Sequence, residues 1–494
     1  MAKERSTLPL NLPAPAPGTP LYRWFYEEVR QAILSGRLHP GARLPATRDL
    51  AAQFGLSRPT LVTAFEQLRS EGYVEGKVGS GTYVSQVLPE QMLQAPRTSS
   101  GATRKRRRIA LSEYARRLQI SPAKEWRPAR AFRANQPALD AFPGTLWAQV
   151  AARRLRRVST QLLAGGEALG YRPLRAAVAD YLNTSRGVKC TPEQVLIISG
   201  VQQALDRTAH LLLNSSDSVW MEEPGYPGAA ATFQAVGAKI RGLPVDSEGL
   251  NLEAGRTFDR PRLVYVTPAH QFPLGVTMSL SRRLSLLEWA RRNGTVIFED
   301  DYDSEYRYSG RPIPALQGLD RAGVVIFAGS FSDVLFPALR LGYLVVPPDM
   351  VDLFAAAEAI STHHPPLIDQ AILCDFIVEG HFARHVRRMR ELYAERLSVL
   401  LEAASEHLDG LLEIPAVEAG LRTVGWLKHG ITATQAAQAA ADEDVEVVPL
   451  SRYAHGRTQN NGVVLGFAAV DGRELRRGAE YLARALRKCA RLKA

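Results

Sequence analysis

Residues 44–84 read LPATRDLAAQFGLSRPTLVTAFEQLRSEGYVEGKVGSGTYV, and this stretch decides the N-terminal fold. Gly55 breaks it into two helical runs. Ser57 is a good N-cap, because a short hydroxyl side chain can accept a bond from a first-turn amide. Pro59 falls in that first turn, where a missing N–H costs little. Leu61, Ala64, Phe65 and Leu68 follow the i, i+3, i+4, i+7 spacing of one buried helix face. Arg58 and Thr60 are thereby turned outward at the helix start. Two short β runs follow around a glycine-rich tip, where Gly79, Ser80 and Gly81 can bring backbone close to a phosphate or a minor groove. Upstream, Tyr22, Phe25, Val29 and Ile33 give a further helix its apolar stripe, ended by Gly36, Pro40 and Gly41.

Charge gives this unit a partner. The 494 residues carry a net charge of +11, and residues 1–130 hold 21 Lys plus Arg against 10 Asp plus Glu. The rest of the chain balances, so the whole excess lies in the N-terminal quarter. Localised positive charge favours a polyanion, because each phosphate contact releases a condensed counterion. A helix that offers its N-terminal residues from a basic unit has the geometry that enters a major groove. Residues 21–85 therefore read as a winged helix-turn-helix that binds double-stranded DNA. Residues 1–20, rich in proline, read as a flexible arm, and 86–130, with the run Arg104, Lys105, Arg106, Arg107, Arg108, as a basic linker.

Residues 131–494 read as one large domain. Apolar strand candidates at 194–199, 218–222, 262–267, 295–300, 324–328 and 341–346 are spaced widely enough for crossover helices. That pattern predicts an α/β fold with a mainly parallel sheet covered on both faces. Helices dominate from about residue 349, and a small C-terminal lobe includes 445–451 and 462–468. No run of 18 apolar residues exists, so no membrane span is expected. The N-terminus lacks an apolar core of signal-peptide length, and Cys190, Cys374 and Cys489 form neither metal spacing nor an even set. A cytoplasmic location is expected.

Three motifs lie at strand ends. Ser199-Gly200-Val201-Gln202-Gln203 opens a helix, where backbone N–H groups and the helix dipole favour an anion. Glu299-Asp300-Asp301-Tyr302 follows a strand, and an aspartate there can hold a pyridinium proton. Ser330-Phe331-Ser332, with Pro337 and Arg340, places a guanidinium fork within reach of a phosphate. Taken singly, a Ser-Gly turn is usually a helix start and an acidic pair a cap.

Together these stretches resemble known families. LPATRDLA, GLSRPTL and GSGTYV resemble a GntR-type winged helix, and the ordered strand-end motifs resemble the site of class I aminotransferase-like, fold type I proteins. Nearly the full length resembles the MocR-type transcription regulators, including 138–143, 170–182, 219–229, 267–279, 299–308, 329–347 and 379–397. The Arg-rich 379–397 could offer a second nucleic-acid surface, but a helical, ion-paired structural role is preferred. The resemblance implies DNA contacts from Arg48, Ser57, Arg58, Thr60, Lys77 and Gly81, with Arg58 the candidate for a bidentate contact to guanine. It implies a pyridoxal phosphate site in which Ser199, Gly200, Val201, Ser330 and Arg340 cradle the phosphate. Asp300 would pair with the ring nitrogen, Tyr302 with the ring hydroxyl, Tyr226 would lie against the ring face, and Gln271 would sit near the ring edge.

The chain departs from that family where it matters most. After Ser-Phe-Ser the family has the lysine that condenses with the cofactor aldehyde; here the residue is Asp333, and a carboxylate cannot form that bond. Val464 stands where related enzymes often carry an arginine for the substrate carboxylate, and Arg422 where many relatives carry histidine. The expectation is a non-enzymatic, homodimeric (head-to-tail) regulator whose large domain senses an effector of unknown identity. Pyridoxal 5'-phosphate or pyridoxamine 5'-phosphate would bind without a covalent link. The amine form suits the Asp333 carboxylate better. Two alternatives are an active pyridoxal-phosphate enzyme with an attached DNA-binding domain, and a regulator whose large domain binds no ligand.

Overall fold

Ser57 does cap its helix: its hydroxyl accepts a bond from the Thr60 amide. The computed structural model describes residues 8, 10, 12–16, 18–77, 81–87, 110–118, 128–309, 314–415, 417–456 and 461–491, and divides into two units, Met1–Ile109 and Ala110–Ala494.

In the first unit α1 (Leu21–Leu34), α2 (Thr47–Phe54) and α3 (Arg58–Ser70) pack around Phe25, Val29, Leu50, Leu61, Leu68 and Val84. Phe25 lies 6.3 Å from the Phe65 ring and meets Phe54 edge-on at 5.6 Å. Gly55 ends α2 with φ +64°, a left-handed conformation that glycine adopts without steric cost. The strands β1 (Arg43–Leu44), β2 (Val74–Lys77) and β3 (Gly81–Val84) form an antiparallel sheet in the order β1-β3-β2. The wing tip at Gly79 and Ser80 lies outside the described residues, as does the run Arg104–Arg108.

Two expectations need correction. Part of the N-terminal arm is pinned: Leu8 is buried in the core, its amide donates to Gln53 Oε1 at 2.8 Å, and Gln53 Nε2 donates to Leu8 O at 2.7 Å. Apolar Leu8, Leu10 and Leu12 supply the contacts that the proline content concealed. Likewise Glu113–Arg117, expected within the linker, is a short helix capped by Ser112, and it packs on the second unit, where Arg117 Nη1 donates to Val236 O at 3.5 Å.

The second unit is built on eight strands: β4 (Val195–Ile198), β5 (Ser218–Glu223), β6 (Lys239–Asp246), β7 (Gly249–Leu250), β8 (Leu263–Val266), β9 (Val296–Asp301), β10 (Val325–Ser330) and β11 (Gly342–Val345). Their order is β4-β11-β10-β9-β8-β5-β6-β7. The run β10-β9-β8-β5-β6 is parallel, whereas β11 lies antiparallel to both its neighbours and β7 antiparallel at the edge. Each of the six expected strands is present; β6 was not foreseen, because Gly242 and Pro244 interrupt its apolar run. The connections include α4 (Arg172–Ser185), α5 (Val201–Leu212), α6 (Pro227–Val236) and α7 (Leu280–Asn293). Buried clusters cover both faces of the sheet, as expected when crossover helices lie on both sides. The long α8 (His381–His407) follows, and β12 (Leu412–Glu413), β13 (Arg422–Leu427), β14 (Val448–Pro449) and β15 (Gly462–Gly466) make the small antiparallel sheet. Among the described residues no helix is long and apolar enough to cross a membrane.

Candidate functional site

In the first unit, Arg58 opens α3 and Arg48 lies in the first turn of α2. Both are exposed, with no hydrogen bond or ion pair to any described residue. Thr60 is half-buried and bonded to Ser57 through the two hydroxyls at 2.7 Å, so its hydroxyl serves the helix cap as well as the surface. Gly81 opens β3 at φ +114°, and a Cβ there would sit 3.3 Å from Arg43 Nε. Arg43 is thus an exposed cation beside the wing that sequence reasoning missed; nothing in a two-residue strand marked it. Lys77 ends β2, and its side chain lies outside the described residues.

The second unit gathers its candidates at the carboxyl ends of β4, β9 and β10, the place where open α/β sheets bind ligands. β4 leads through Ser199 into α5, whose cap is Gly200 at φ +84°. Among the described residues no side chain caps α5, so its first-turn amides can meet an anion. Arg340, exposed, donates from Nη2 to Ser199 O at 2.9 Å and flanks Gly200, where a Cβ would lie 3.5 Å from the guanidinium. Gly342 lets the chains close: a Cβ there would be 3.1 Å from Gly200 Cα. Ser330 Oγ accepts from the Ser332 amide at 3.1 Å at the end of β10.

β9 alternates its carboxylates, as the period of a strand demands. Glu299 accepts from the Leu316 and Gln317 amides, 2.8 Å each, and Asp301 pairs with Arg186 at 2.8 Å. Asp300 points the other way, where Tyr265 O–H donates to its Oδ2 at 2.7 Å. Asp300 Oδ1 is buried and has no partner among the described residues. Burial pushes the Asp300 carboxyl up to about 7; the Tyr265 bond opposes this, and Asp301, Asp333 and Glu222 reinforce it. A pyridinium N–H at Oδ1 would reverse that penalty. The orphaned oxygen and the glycine-lined cradle therefore fit pyridoxal phosphate.

Aromatic rings and one cation close the site. Tyr226 lies 5.5 Å from the Phe272 ring, its hydroxyl 3.3 Å from Gln202 Oε1, and burial near Asp300 and Asp333 pushes it up to about 12. Gly228 makes room for it, since a Cβ there would meet the Tyr226 ring at 2.4 Å. Tyr302 O–H donates to His270 O at 2.7 Å, and burial holds its pKa well above the usual tyrosine range. Arg422, 2% exposed, stacks over Phe272 at 4.6 Å and Tyr302 at 4.9 Å. Burial opposes its charge, but Tyr302, Asp303 and Asp333 outweigh that and keep it cationic. Asp333 is near enough to Asp300, Tyr226 and Arg422 to influence all three.

The structure corrects one expectation. The Gln271 amide is turned to Pro224 O at 2.9 Å and Glu222 Oε2 at 3.2 Å, while its Oε1 accepts from the Leu274 amide at 3.0 Å. It pins its own loop, and Phe272 is the residue of that loop that meets Tyr226 and Tyr302. A buried primary amide takes the nearest backbone partners, which no local pattern reveals.

Comparison with known proteins follows the same division. Residues 21–84 match the bacterial regulatory proteins of the gntR family, and residues 132–482 match aminotransferase class I and II. The chain is 41% identical to the "Probable rhizopine catabolism regulatory protein MocR" of Rhizobium meliloti, over 94% of this chain and 93% of that protein. The chain belongs to the MocR-type family of transcription regulators. Another relative of this MocR-type chain is the HTH-type pyridoxine biosynthesis transcriptional regulator PdxR of Corynebacterium glutamicum, 31% identical over 91% of this chain and 92% of that one. The large unit of the MocR-type chain has the fold type I aminotransferase architecture. Alpha-aminoadipate aminotransferase of Thermus thermophilus, solved with N-(5'-phosphopyridoxyl)-L-leucine, superposes with a TM-score of 0.71 at 30% identity, covering 77% of this chain and 98% of that one.

Proposed function

We propose that this protein is a DNA-binding transcription regulator whose large unit senses a ligand through a pyridoxal-type cofactor held without a covalent bond. The observation that carries the second half is the buried, unpartnered Asp300 Oδ1 at the end of β9, beside the Gly200–Arg340 cradle. When bound, the cofactor supplies a phosphate, a pyridinium ring and an aldehyde or amine carbon. Arg340 and the α5 amides would hold the phosphate, Asp300 the ring nitrogen, Tyr302 the ring hydroxyl and Tyr226 the ring face. Asp333 occupies the family's lysine position, so no amine of the chain is there to bond the aldehyde or to shuttle an α-proton. Val464 packs with Phe272, Leu450 and Tyr453 in an apolar wall, so it offers no cation of its own to a substrate carboxylate. Both features support a non-enzymatic role. Asp333 favours pyridoxamine 5'-phosphate, whose ammonium it would neutralise.

The reading includes a head at 21–85, a linker within 86–130, a large domain from 131, and a head-to-tail homodimer in the cytoplasm. Two-fold symmetry would present two heads to paired DNA half-sites.

Calorimetric titration of the full chain with pyridoxal and pyridoxamine phosphate tests the sensor, beside an Asp333→Lys variant. Saturable binding by the unaltered protein, tighter for the amine form, with a yellow, borohydride-fixable adduct only in the variant, is the expected result. No binding by the unaltered protein would leave the large unit an assembly module only. Tighter binding of the aldehyde form would overturn the role given to Asp333.

A further inference from the structure

A second concavity lies in the large unit, lined by α4, α8 and the loop that follows β9. Its volume is about 420 Å³, within the range of small-molecule sites. Among the described residues five guanidinium groups line it, from Arg186, Arg283, Arg307, Arg387 and Arg390, against the carboxyl of Glu305.

The charges are unevenly matched. Arg186 pairs with Asp301 at 2.8 Å and Arg307 with Glu418 at 2.9 Å. The other three have no carboxylate bond among the described residues. Arg283 donates to the carbonyls of Met278, Pro314 and Pro268, at 3.0, 3.0 and 2.6 Å. Arg390 donates to Glu305 O at 3.0 and 2.8 Å. Arg387 is exposed and has no hydrogen bond or ion pair among the described residues. The Glu305 carboxylate accepts from Tyr181 O–H at 2.8 Å, and burial pushes its carboxyl up to about 7, which weakens its negative charge. Ser304 also lines the cavity, and its buried Oγ has no partner among the described residues.

Like charges crowded into a concavity focus their field on whatever enters it. Five guanidinium groups against Asp301, Glu418 and Glu305 leave two positive charges over among the described residues, which suits a dianion, and planar forks suit carboxylate or phosphate oxygens. Tyr181, Phe382 and Val386 line the same cavity and would cover a carbon skeleton. We propose that this cavity is a second ligand site, for a small organic dianion (a phosphate monoester or a dicarboxylate), separate from the ring site. The two sites share one segment. Asp300 and Tyr302 serve the ring site, and Asp301, through Arg186, together with Ser304 and Glu305, serves the cavity. A dianion drawing Arg186 away from Asp301 would act on the strand that carries Asp300.

Titration calorimetry of the full chain with glycerol phosphate and with glutarate, referenced to sodium chloride at matched ionic strength, tests the proposal. One-to-one saturable binding of at least one probe is expected, and the probe that binds tells phosphate monoester from dicarboxylate. Arg387→Glu should weaken it at least about tenfold. Ala383→Glu, which adds a carboxylate to the same wall of α8, should do the same and guards against a fault in one variant. Arg340→Ala, in the ring-site cradle, should leave probe binding unchanged. No saturable binding of either probe would overturn the proposal. So would binding lost in Arg340→Ala but retained in Arg387→Glu, because the probe would then occupy the ring site. The ring-site reading fails separately, in the pyridoxal phosphate titration.

Discussion

The two units assemble their candidate sites by opposite electrostatic strategies. In the first, Arg48 and Arg58 stand in water at helix starts, and the local fold does little more than aim them. Their charge costs nothing to keep there, and its value appears when a polyanion arrives. In the second, Asp300 is nearly fully buried, one oxygen satisfied by Tyr265 and the other left open. That charge is expensive to keep, and a matching cation repays the cost. An exposed site can therefore be altered with little effect on folding, whereas a buried one couples ligand, protonation and stability.

Four variants test this contrast between an exposed and a buried site. The largest effect is expected from Arg58→Ala, which should cost about 1–3 kcal/mol in operator affinity, on the order of tenfold to a hundredfold, and relax specificity at one base pair. Thermal stability should not move, since Arg58 has no side-chain partner among the described residues. Uniform weakening across DNA sequences, with a shallower salt dependence, would reassign Arg58 to a phosphate.

Next comes Arg340→Ala. Loss of a charge-assisted bond should weaken pyridoxal phosphate binding by about tenfold to a hundredfold, with apoprotein stability lowered by about 1 kcal/mol through the lost bond to Ser199 O and DNA affinity unaltered. Unchanged cofactor affinity would remove Arg340 from the cradle.

Asp300→Asn should reveal the buried cost. The carboxyl goes from a reference value of 3.8 to about 7 in the folded chain, so folding favours its protonated form. That contribution to stability is complete below pH 3.8 and is lost as pH rises through about 7. The Asn variant escapes the loss, and chemical denaturation should find it more stable at pH 8, on the order of 2 kcal/mol, but not below pH 4. A variant that is less stable at pH 8 would show that the carboxylate is already compensated.

The smallest effect is expected from Ser57→Ala, about 1 kcal/mol in stability through the lost cap. Because the same hydroxyl steadies Thr60, DNA affinity should fall slightly as well. An unchanged unfolding midpoint would mean that α3 holds its first turn without the cap.

Much of this was legible in the sequence because it is local. Ser57, Pro59 and the Leu61–Leu68 stripe specify α3 within a dozen residues, and the apolar runs mark six of the eight main strands. The acidic run at 299–301 was ambiguous, since an acid at a strand end serves equally as a cap, and Glu299 is one while Asp300 is not. What decided between them was the alternation of β9, which sends adjacent side chains to opposite faces.

The two-part organisation, the outward arginines and the strand-end motifs were fixed by local sequence. These follow from periodicity, caps and composition, which act over a few residues. Folding brought the rest together: Gln271 pins a loop, Phe272 faces Tyr302, and Arg422 is buried over both rings. It also brought five arginines from distant segments into one cavity. The physical reason is range. A cap or a stripe is satisfied by its neighbours in the chain, whereas a buried amide, a cation or an orphaned carboxylate oxygen is satisfied by whatever the fold brings beside it.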